Sequence, residues 1–128
     1  MEFSFREAKP SEANLIRDFQ VAMALESEGL RLDPDTCLRG VHRIFAEPAL
    51  GTYYVAESTA PEAPAEILGC LLLQREWSDW RARMIGWIHS LYVRPEWRGR
   101  GIYRRMYAHL QERVMQNADL GGLRLYVD

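Results

Sequence analysis

The sequence LYVRPEWRGRGIY, residues 91–103, decides the fold of this chain. Its apolar start is typical of a strand, Pro95 marks a turn, and the residues after Gly101 have the spacing of an amphipathic helix. Gly99 and Gly101 permit positive φ and let a ligand come close to the backbone. The unpaired N–H groups at the start of a helix attract an anion. The stretch therefore predicts a strand, loop and helix unit that binds pyrophosphate.

Arginines cluster around this loop, although the whole chain has a net charge of −2 at pH 7. Guanidinium groups donate charge-assisted hydrogen bonds to phosphate oxygens, so the cluster is suited to a multiply charged anion. The alternative is that these side chains form a solvated helix face. The slightly acidic balance of the chain argues against nucleic acid as its main partner. The cluster consists of Arg94, Arg98, Arg100, Arg104 and Arg105.

Length and composition predict one domain, residues 1–128. A chain of 128 residues with 48% hydrophobic residues can bury a core of its own. The only two cysteines, Cys37 and Cys70, lie far apart and have no partners at metal-ligand spacing, so neither a metal site nor a disulfide framework is expected. The sequence shows no signal peptide and no membrane-spanning run. These features predict a cytoplasmic protein that does not contact membranes.

The hydrophobic pattern predicts alternating strands and helices. Their order indicates a mixed sheet covered by helices, with the last two strands parallel. A chain that stops in an inner strand leaves a sheet edge open to pairing, so a homodimer is a possible assembly. The predicted elements are a strand at Phe3 and Phe5, a helix capped near Pro10 and Ser11 and ending near Gly29, a helix at 36–46, strands at 52–56, 67–74 and 84–93, a helix after Gly101, and a strand at 123–127.

The loop sequence is similar to a known family. Arg98-Gly99-Arg100-Gly101-Ile102-Tyr103, after a strand ending in Val93-Arg94-Pro95, resembles the acetyl-CoA loop of the GNAT acetyltransferases, whose pattern is Arg-x-x-Gly-x-Gly/Ala. Tyr103 stands where most members have a small residue. More loosely, the resemblance extends over residues 3–127. It implies an α/β (α+β) fold with a mixed, mostly antiparallel central sheet flanked by helices.

The resemblance implies acetyl-CoA as cosubstrate and no metal, because a thioester is already activated for transfer. The pantetheine arm is expected on the strand backbone at Leu91, Tyr92 and Val93, where the strands of relatives splay apart. The pyrophosphate is expected on the loop residues, namely Arg98, Gly99, Arg100, Gly101, Ile102 and Tyr103.

Candidate catalytic residues are less evident. Many relatives carry a Glu five or six residues before the Val-x-Pro, and this chain has Trp87 about there. Strand alternation predicts His89 on the same face as Trp87, Leu91 and Val93, where its imidazole could relay a proton through water. A hydrogen-bonded strand histidine is the alternative. Tyr103 could protonate the leaving thiolate, although its spacing from Tyr107 also suits helix packing.

The acceptor site is predicted from two groups of residues. Glu26 and Glu28 fall in the segment that relatives use to wall this site, and carboxylates there would attract a cationic amine, unless they are simply solvated charges. Trp77, Trp80 and Trp87 surround a predicted hairpin and could form the floor of a pocket, a dimer surface or part of the core.

Three functions remain compatible with the sequence. The first is an N-acetyltransferase that transfers an acetyl group from acetyl-CoA to a primary amine in a ternary complex. The second is a noncatalytic CoA-binding or sensor module, which Trp87 at the usual carboxylate position favours. The third is an interaction domain whose basic loop recognises an acidic partner. Relatives usually continue with a further helix and closing strands, so the resemblance also implies that the domain is truncated at its C-terminal end.

Overall fold

The structure, a computed structural model, describes residues 3–116 and 120–125, and it confirms the predicted order of strands and helices. The elements are β1 (Phe3–Glu7), α1 (Ala13–Glu28), α2 (Pro34–Ala46), β2 (Thr52–Ser58), β3 (Ile67–Ser78), β4 (Arg83–Val93), α3 (Ile102–Gln116) and β5 (Leu120–Leu125).

Local signals at the helix ends explain where the boundaries differ from the prediction. α2 begins two residues earlier than predicted, because the Asp33 carboxylate accepts a hydrogen bond from the Thr36 N–H at 3.0 Å and Pro34 suits the first helical position. Ser11 does not cap α1, because a 3-10 turn at Pro10–Glu12 precedes the helix. Gly29 ends α1 with a φ of 63°, as predicted.

The five strands form one sheet in the order β1-β2-β3-β4-β5. All neighbours are antiparallel except β4 and β5, which α3 joins as a parallel pair. β5 begins at Leu120 rather than at residue 123, and the predicted strand end at Val127 lies outside the described residues. The mixed, mostly antiparallel sheet predicted from the sequence is therefore confirmed.

The two faces of the sheet have separate hydrophobic cores. On one face, α3 buries Ile102, Met106 and Leu110 against strand residues that include Leu71 and Ile88. The opposite face packs on α1 and α2, and its buried strand residues are Tyr53, Val55, Cys70, Leu72 and Tyr92. Burial in this core raises the pKa of the Cys70 thiol to about 12.

A β-bulge interrupts β4 just before its end. Cys70 pairs with Tyr92 and Leu72 pairs with His89, so a two-residue step on β3 faces a three-residue step on β4. Ser90 absorbs the extra residue with a φ of 52°. The bulge reverses the alternation of side chains along β4.

The prediction that His89 shares a face with Leu91 and Val93 is therefore wrong. Leu91 and Val93 pack against the α3-side core. His89 and Trp87 instead line a concavity on the opposite side of the strand, together with residues of β3 and of the segment before β2.

Candidate active site

The glycine loop after β4 exposes its backbone. Gly99 and Gly101 both have a φ of 78°, a conformation that residues with a Cβ rarely adopt. A Cβ built on either glycine would have no atom within 4 Å, so the space above the loop is open. A concavity of about 290 Å³ occupies this region, and its lining residues are Val93, Trp97, Arg98, Gly99, Gly101, Ile102, Tyr103 and Arg104. We call it the loop concavity.

The N-terminus of α3 adds donors to the loop concavity. The N–H of Arg105 bonds to the Gly101 carbonyl at 3.1 Å and begins the helical ladder. The amides of Ile102, Tyr103 and Arg104 come before it, at positions that have no carbonyl partner within a helix. Together with the positive end of the helix dipole, they make the loop concavity suited to phosphate oxygens.

Four arginines of this region stack on aromatic rings, although Arg98, Arg100 and Arg105 are exposed to solvent. Each of four guanidinium groups lies within about 5 Å of a ring centroid, in the range of cation–π attraction. The pairs are Arg94 over Phe19 at 5.0 Å, Arg98 over Tyr92 at 5.3 Å, Arg100 over Trp97 at 4.7 Å and Arg105 over Phe3 at 5.2 Å.

Arg98 joins the loop to α1. Its Nε donates to the Val93 carbonyl at 2.8 Å, and its Nη2 forms a 2.8 Å ion pair with Glu26. The bond to Glu26 raises the pKa of this guanidinium. Arg98 therefore bonds to protein groups through both Nε and Nη2. The Val93 carbonyl, which Nε contacts, belongs to the backbone expected to hold the pantetheine arm.

A second concavity, of about 330 Å³, lies between the end of α1 and the end of β4. Glu26 lines it, whereas Glu28 is an exposed residue at the last position of α1 and lines none of the three concavities described here. We call it the strand-end concavity; its lining residues are Met23, Glu26, Ser27, Leu91, Tyr92, Val93 and Arg98.

β5 does not accompany the end of β4 within the described residues. The parallel pairing runs from Met84 opposite Leu120 to Ile88 opposite Leu125, and β5 is described no further. Within the described residues, the pairing therefore ends just before the bulge. Leu91, Tyr92 and Val93, which lie beyond this pairing, line the strand-end concavity.

A third concavity, of about 580 Å³, lies on the far side of the bulge. Its lining residues are Ala49, Leu50, Gln74, Arg75, Glu76, Trp87 and His89, and we call it the hairpin concavity. The Trp87 indole N–H donates to the Glu76 carboxylate at 3.2 Å. The Gln74 amide donates to the Leu50 carbonyl at 3.2 Å, which holds the segment before β2 against the hairpin.

The three predicted pocket tryptophans do not share one site. Trp87 lines the hairpin concavity, whereas Trp77 pairs with Met84 and lies four residues from Leu73, hence on the α3 face of the sheet. Trp80 is in the turn and is 96% exposed, and Trp77 is 60% exposed. Of the three tryptophans, only Trp87 therefore lines a concavity that could serve as the predicted acceptor pocket.

The two candidate catalytic residues lie in different concavities. His89 lines the hairpin concavity and Tyr103 lines the loop concavity. Burial, and to a smaller degree the neighbouring Tyr107, raises the pKa of Tyr103, and the two rings meet edge to face at 6.2 Å. Tyr103 therefore keeps its proton at neutral pH. It lies in the loop concavity, however, and not beside His89.

Sequence reasoning missed Glu76, Leu50 and the bulge at Ser90. Glu76 could have been found from hairpin pairing, because strands folded back around the turn near residue 80 bring it diagonally opposite Trp87. Ser90 carries no such signal, since a positive φ at serine is uncommon.

Within residues 3–116 and 120–125, no cluster of three or more His, Cys, Asp or Glu side chains is arranged to hold a metal ion. No helix in that part of the chain is long and apolar enough to cross a membrane.

The fold is shared with solved structures of acetyltransferases. A possible acetyltransferase from Clostridium difficile 630 superimposes with a TM-score of 0.88 and 29% sequence identity, over 100% of this chain and 81% of the other. The Acetyltransferase (GNAT) family model matches residues 17–128. The chain therefore belongs to the GNAT acetyltransferase family.

More distant structures share the fold. A predicted acetyltransferase with acetyl-CoA from Clostridium acetobutylicum aligns at 17% identity and a TM-score of 0.74, over 99% of this chain and 82% of the other. The glucosamine-6-phosphate N-acetyltransferase of Arabidopsis thaliana aligns at 15% identity and a TM-score of 0.70, over 100% of this chain and 84% of the other. No significant match was found among curated proteins.

Proposed function

We propose that this protein is an N-acetyltransferase that moves an acetyl group from acetyl-CoA to a primary amine by direct attack within a ternary complex. The observation that carries the proposal is the order of the three concavities along β4. The loop concavity and the strand-end concavity share Val93 and Arg98, and the hairpin concavity begins at His89 across the bulge. One extended cofactor can therefore run from the loop toward the bulge, where an acceptor would meet its acyl end.

The loop residues fit a pyrophosphate. The open space above Gly99 and Gly101 is the room that phosphate oxygens need, and any Cβ there would take part of it. The amides at the start of α3 would donate to those oxygens, and Arg100 and Arg104 would add charge. Binding of acetyl-CoA at this place explains why two glycines with positive φ flank a single arginine.

The strand end would orient the thioester rather than react with it. Backbone groups from Leu91 to Val93 border the strand-end concavity and would bind the amides of the pantetheine arm. Arg98 already occupies the Val93 carbonyl, so this bond must open or be shared when the arm binds.

Transfer requires a neutral amine, so a group must accept its proton. No Asp or Glu occurs on β4 itself, from Arg83 to Val93. His89 is the titratable residue that β4 presents to the hairpin concavity, and we propose that it relays this proton through water. Tyr103, at the phosphate end, is better placed to contact the cofactor than to protonate the leaving thiol.

One observation favours a noncatalytic CoA-binding module as the second candidate. Trp87 is half-buried and its indole is bonded to Glu76, so a bulky donor stands near the position where many relatives have a carboxylate. Such a module would bind acetyl-CoA but would release no free thiol in the presence of any amine.

Calorimetric titration with acetyl-CoA, using ATP as a control anion, tests the cofactor. We expect selective binding of acetyl-CoA, and Arg100→Glu should weaken it at least tenfold because a carboxylate would then face the phosphates. Arg39→Glu, a charge reversal on the exposed side of α2, is the matched control and should bind as the wild type does. Equal affinities of the Arg100→Glu variant and the wild type would place the phosphates elsewhere.

Release of free CoA thiol in the presence of primary amines separates the two candidates. The N-acetyltransferase predicts amine-dependent thiol release, and His89→Ala should lower kcat while acetyl-CoA binding is retained. Lys9 is the only lysine of the chain, so self-acetylation adds little background. Tight binding of acetyl-CoA without thiol release across an amine panel would favour the sensor module.

A further inference from the structure

We infer that the acceptor of this enzyme carries a second cationic group, which the Glu76 carboxylate binds at the outer end of the hairpin concavity. This inference rests on the proposed acetyl transfer and names the class of its substrate: linear diamines and longer polyamines. It follows from the placement of Glu76, Trp87 and His89 along one side of the β3–β4 hairpin.

The register of the β3–β4 hairpin sets the distance between Glu76, at the outer end of the hairpin concavity, and His89, at its inner end. His89 pairs with Leu72, Trp87 with Gln74, and Glu76 lies two pairs farther out, opposite Ile85. Four residues of strand separate Leu72 from Glu76, which corresponds to about 13 Å. The diagonal bond from the Trp87 indole brings the carboxylate back toward the bulge, so its distance from the imidazole is about 13 Å or less. Extended alkyl diamines and spermidine span this range.

The hairpin concavity has walls that suit an alkyl chain between two amines. Leu50 is exposed and its segment is held on the hairpin by the bond from Gln74. Gly51 packs so closely on β3 that a Cβ there would lie 2.9 Å from Leu72 Cδ1 and 3.0 Å from the Leu73 carbonyl. The half-buried Trp87 ring lies between the two ends and adds a surface for methylenes or a cation. The cavity of about 580 Å³ is of the size that small-molecule sites have.

The charges that line the hairpin concavity are compatible with a cation. Arg75 borders it, but strand alternation puts Arg75 on the face of Leu73, in the α3-side core, and not on the face of Gln74 and Glu76. Glu76 is exposed, and its carboxylate accepts a hydrogen bond from the Trp87 indole, a neutral donor that does not cancel the negative charge. The outer end therefore attracts an ammonium group, while the inner end presents the His89 imidazole.

The test compares cadaverine and spermidine with pentylamine, which has one amine only. With acetyl-CoA, we expect wild-type kcat/KM for the diamine to exceed that for the monoamine by about tenfold or more, and Glu76→Gln should remove most of this preference. Glu62→Gln, on the exposed loop at the opposite end of β3, is the matched control and should keep the preference. A wild-type preference below about twofold, or an undiminished preference in Glu76→Gln, would overturn the inference.

Calorimetric titration of cadaverine into the CoA-saturated protein gives a second readout that does not need turnover. Binding that Glu76→Gln weakens about tenfold supports the inference even if no amine yields free thiol, in which case only the proposed transferase activity fails. Conversely, thiol release with monoamines and no detectable cadaverine binding would refute the diamine site and leave the transferase standing.

Discussion

Gly69→Ala should damage both the fold and the proposed cofactor site, because a Cβ at this position would clash with the backbone of β4. Gly69 pairs with Val93, and a Cβ at this position would lie 2.5 Å from the Tyr92 carbonyl and 3.1 Å from the Val93 Cα. Ordinary contact begins near 3.4 Å, so the β4 backbone must move by about 0.9 Å. The clash involves the backbone of both β3 and β4, which cannot move aside as a flexible side chain would.

The expected loss of unfolding free energy is about 2 kcal/mol. Overpacking of this kind costs roughly 1–3 kcal/mol or more, and the reduced entropy of the unfolded chain returns less than about 1 kcal/mol. For a chain of this length the loss corresponds to a Tm lower by about 6–10 °C. Urea unfolding followed by circular dichroism measures the first quantity and calorimetry the second.

Acetyl-CoA affinity should fall as well, because the displaced residues are Tyr92 and Val93 of the strand-end concavity. We expect a loss of about tenfold or more at temperatures where the variant is folded. Gly40→Ala is the matched control: it lies in α2, its Cβ would meet nothing within 4 Å, and the change should stabilise the protein by about 0.5–1 kcal/mol. A Gly69→Ala variant as stable as the wild type would refute the reasoning from strand spacing.

Three further outcomes are expected. Gly101→Ala meets no neighbour but must keep a φ of 78°, so calorimetry should show weaker acetyl-CoA binding and unfolding should show a loss of about 1 kcal/mol. Glu26→Gln removes a carboxylate next to Arg98, so acetyl-CoA should bind about two- to fivefold more tightly at low salt, and this gain should shrink as salt is added. Burial lowers the pKa of His109 in the folded state, so the wild type should lose stability as pH falls below about 6.5, and His109→Leu should lose less over the same urea-unfolding series.

The sequence predicted the loop and the element order well, because both depend on local signals. Glycine at Gly99 and Gly101, proline at Pro95 and the helical spacing after Gly101 act within a few residues, and the structure has each feature at the expected place. Strand ends were predicted less well. β3 continues four residues beyond the predicted end at residue 74 and includes the exposed residues Glu76 and Trp77. Hydrogen-bonded pairing with β4, and not burial, keeps these residues in the strand.

The positions of the site residues could not be predicted from the alternation of side chains along a regular strand. The single extra residue at Ser90 moves His89 to the other face, and no composition signal marks it. Likewise, the ion pair between Glu26 and Arg98 joins residues 72 positions apart, so only the fold brings them together. The predicted role of Glu26 in attracting an acceptor stays a prediction, and the structure adds its ion pair with Arg98 of the loop on which the cofactor is proposed to bind.

The bulge gives β4 two functions that a regular strand could not combine. In a regular strand His89 would share the face of Leu91 and Val93, which pack against the α3-side core, and its imidazole would need a buried partner there. With Ser90 at positive φ, the apolar side chains of Leu91 and Val93 stay in the core, and the backbone of this segment is where we propose that the cofactor binds. Before the bulge, His89 turns outward into the hairpin concavity. In the proposed ternary complex, this reversal would bring the acyl end of acetyl-CoA and the imidazole of His89, the proposed proton acceptor, to the same point of β4.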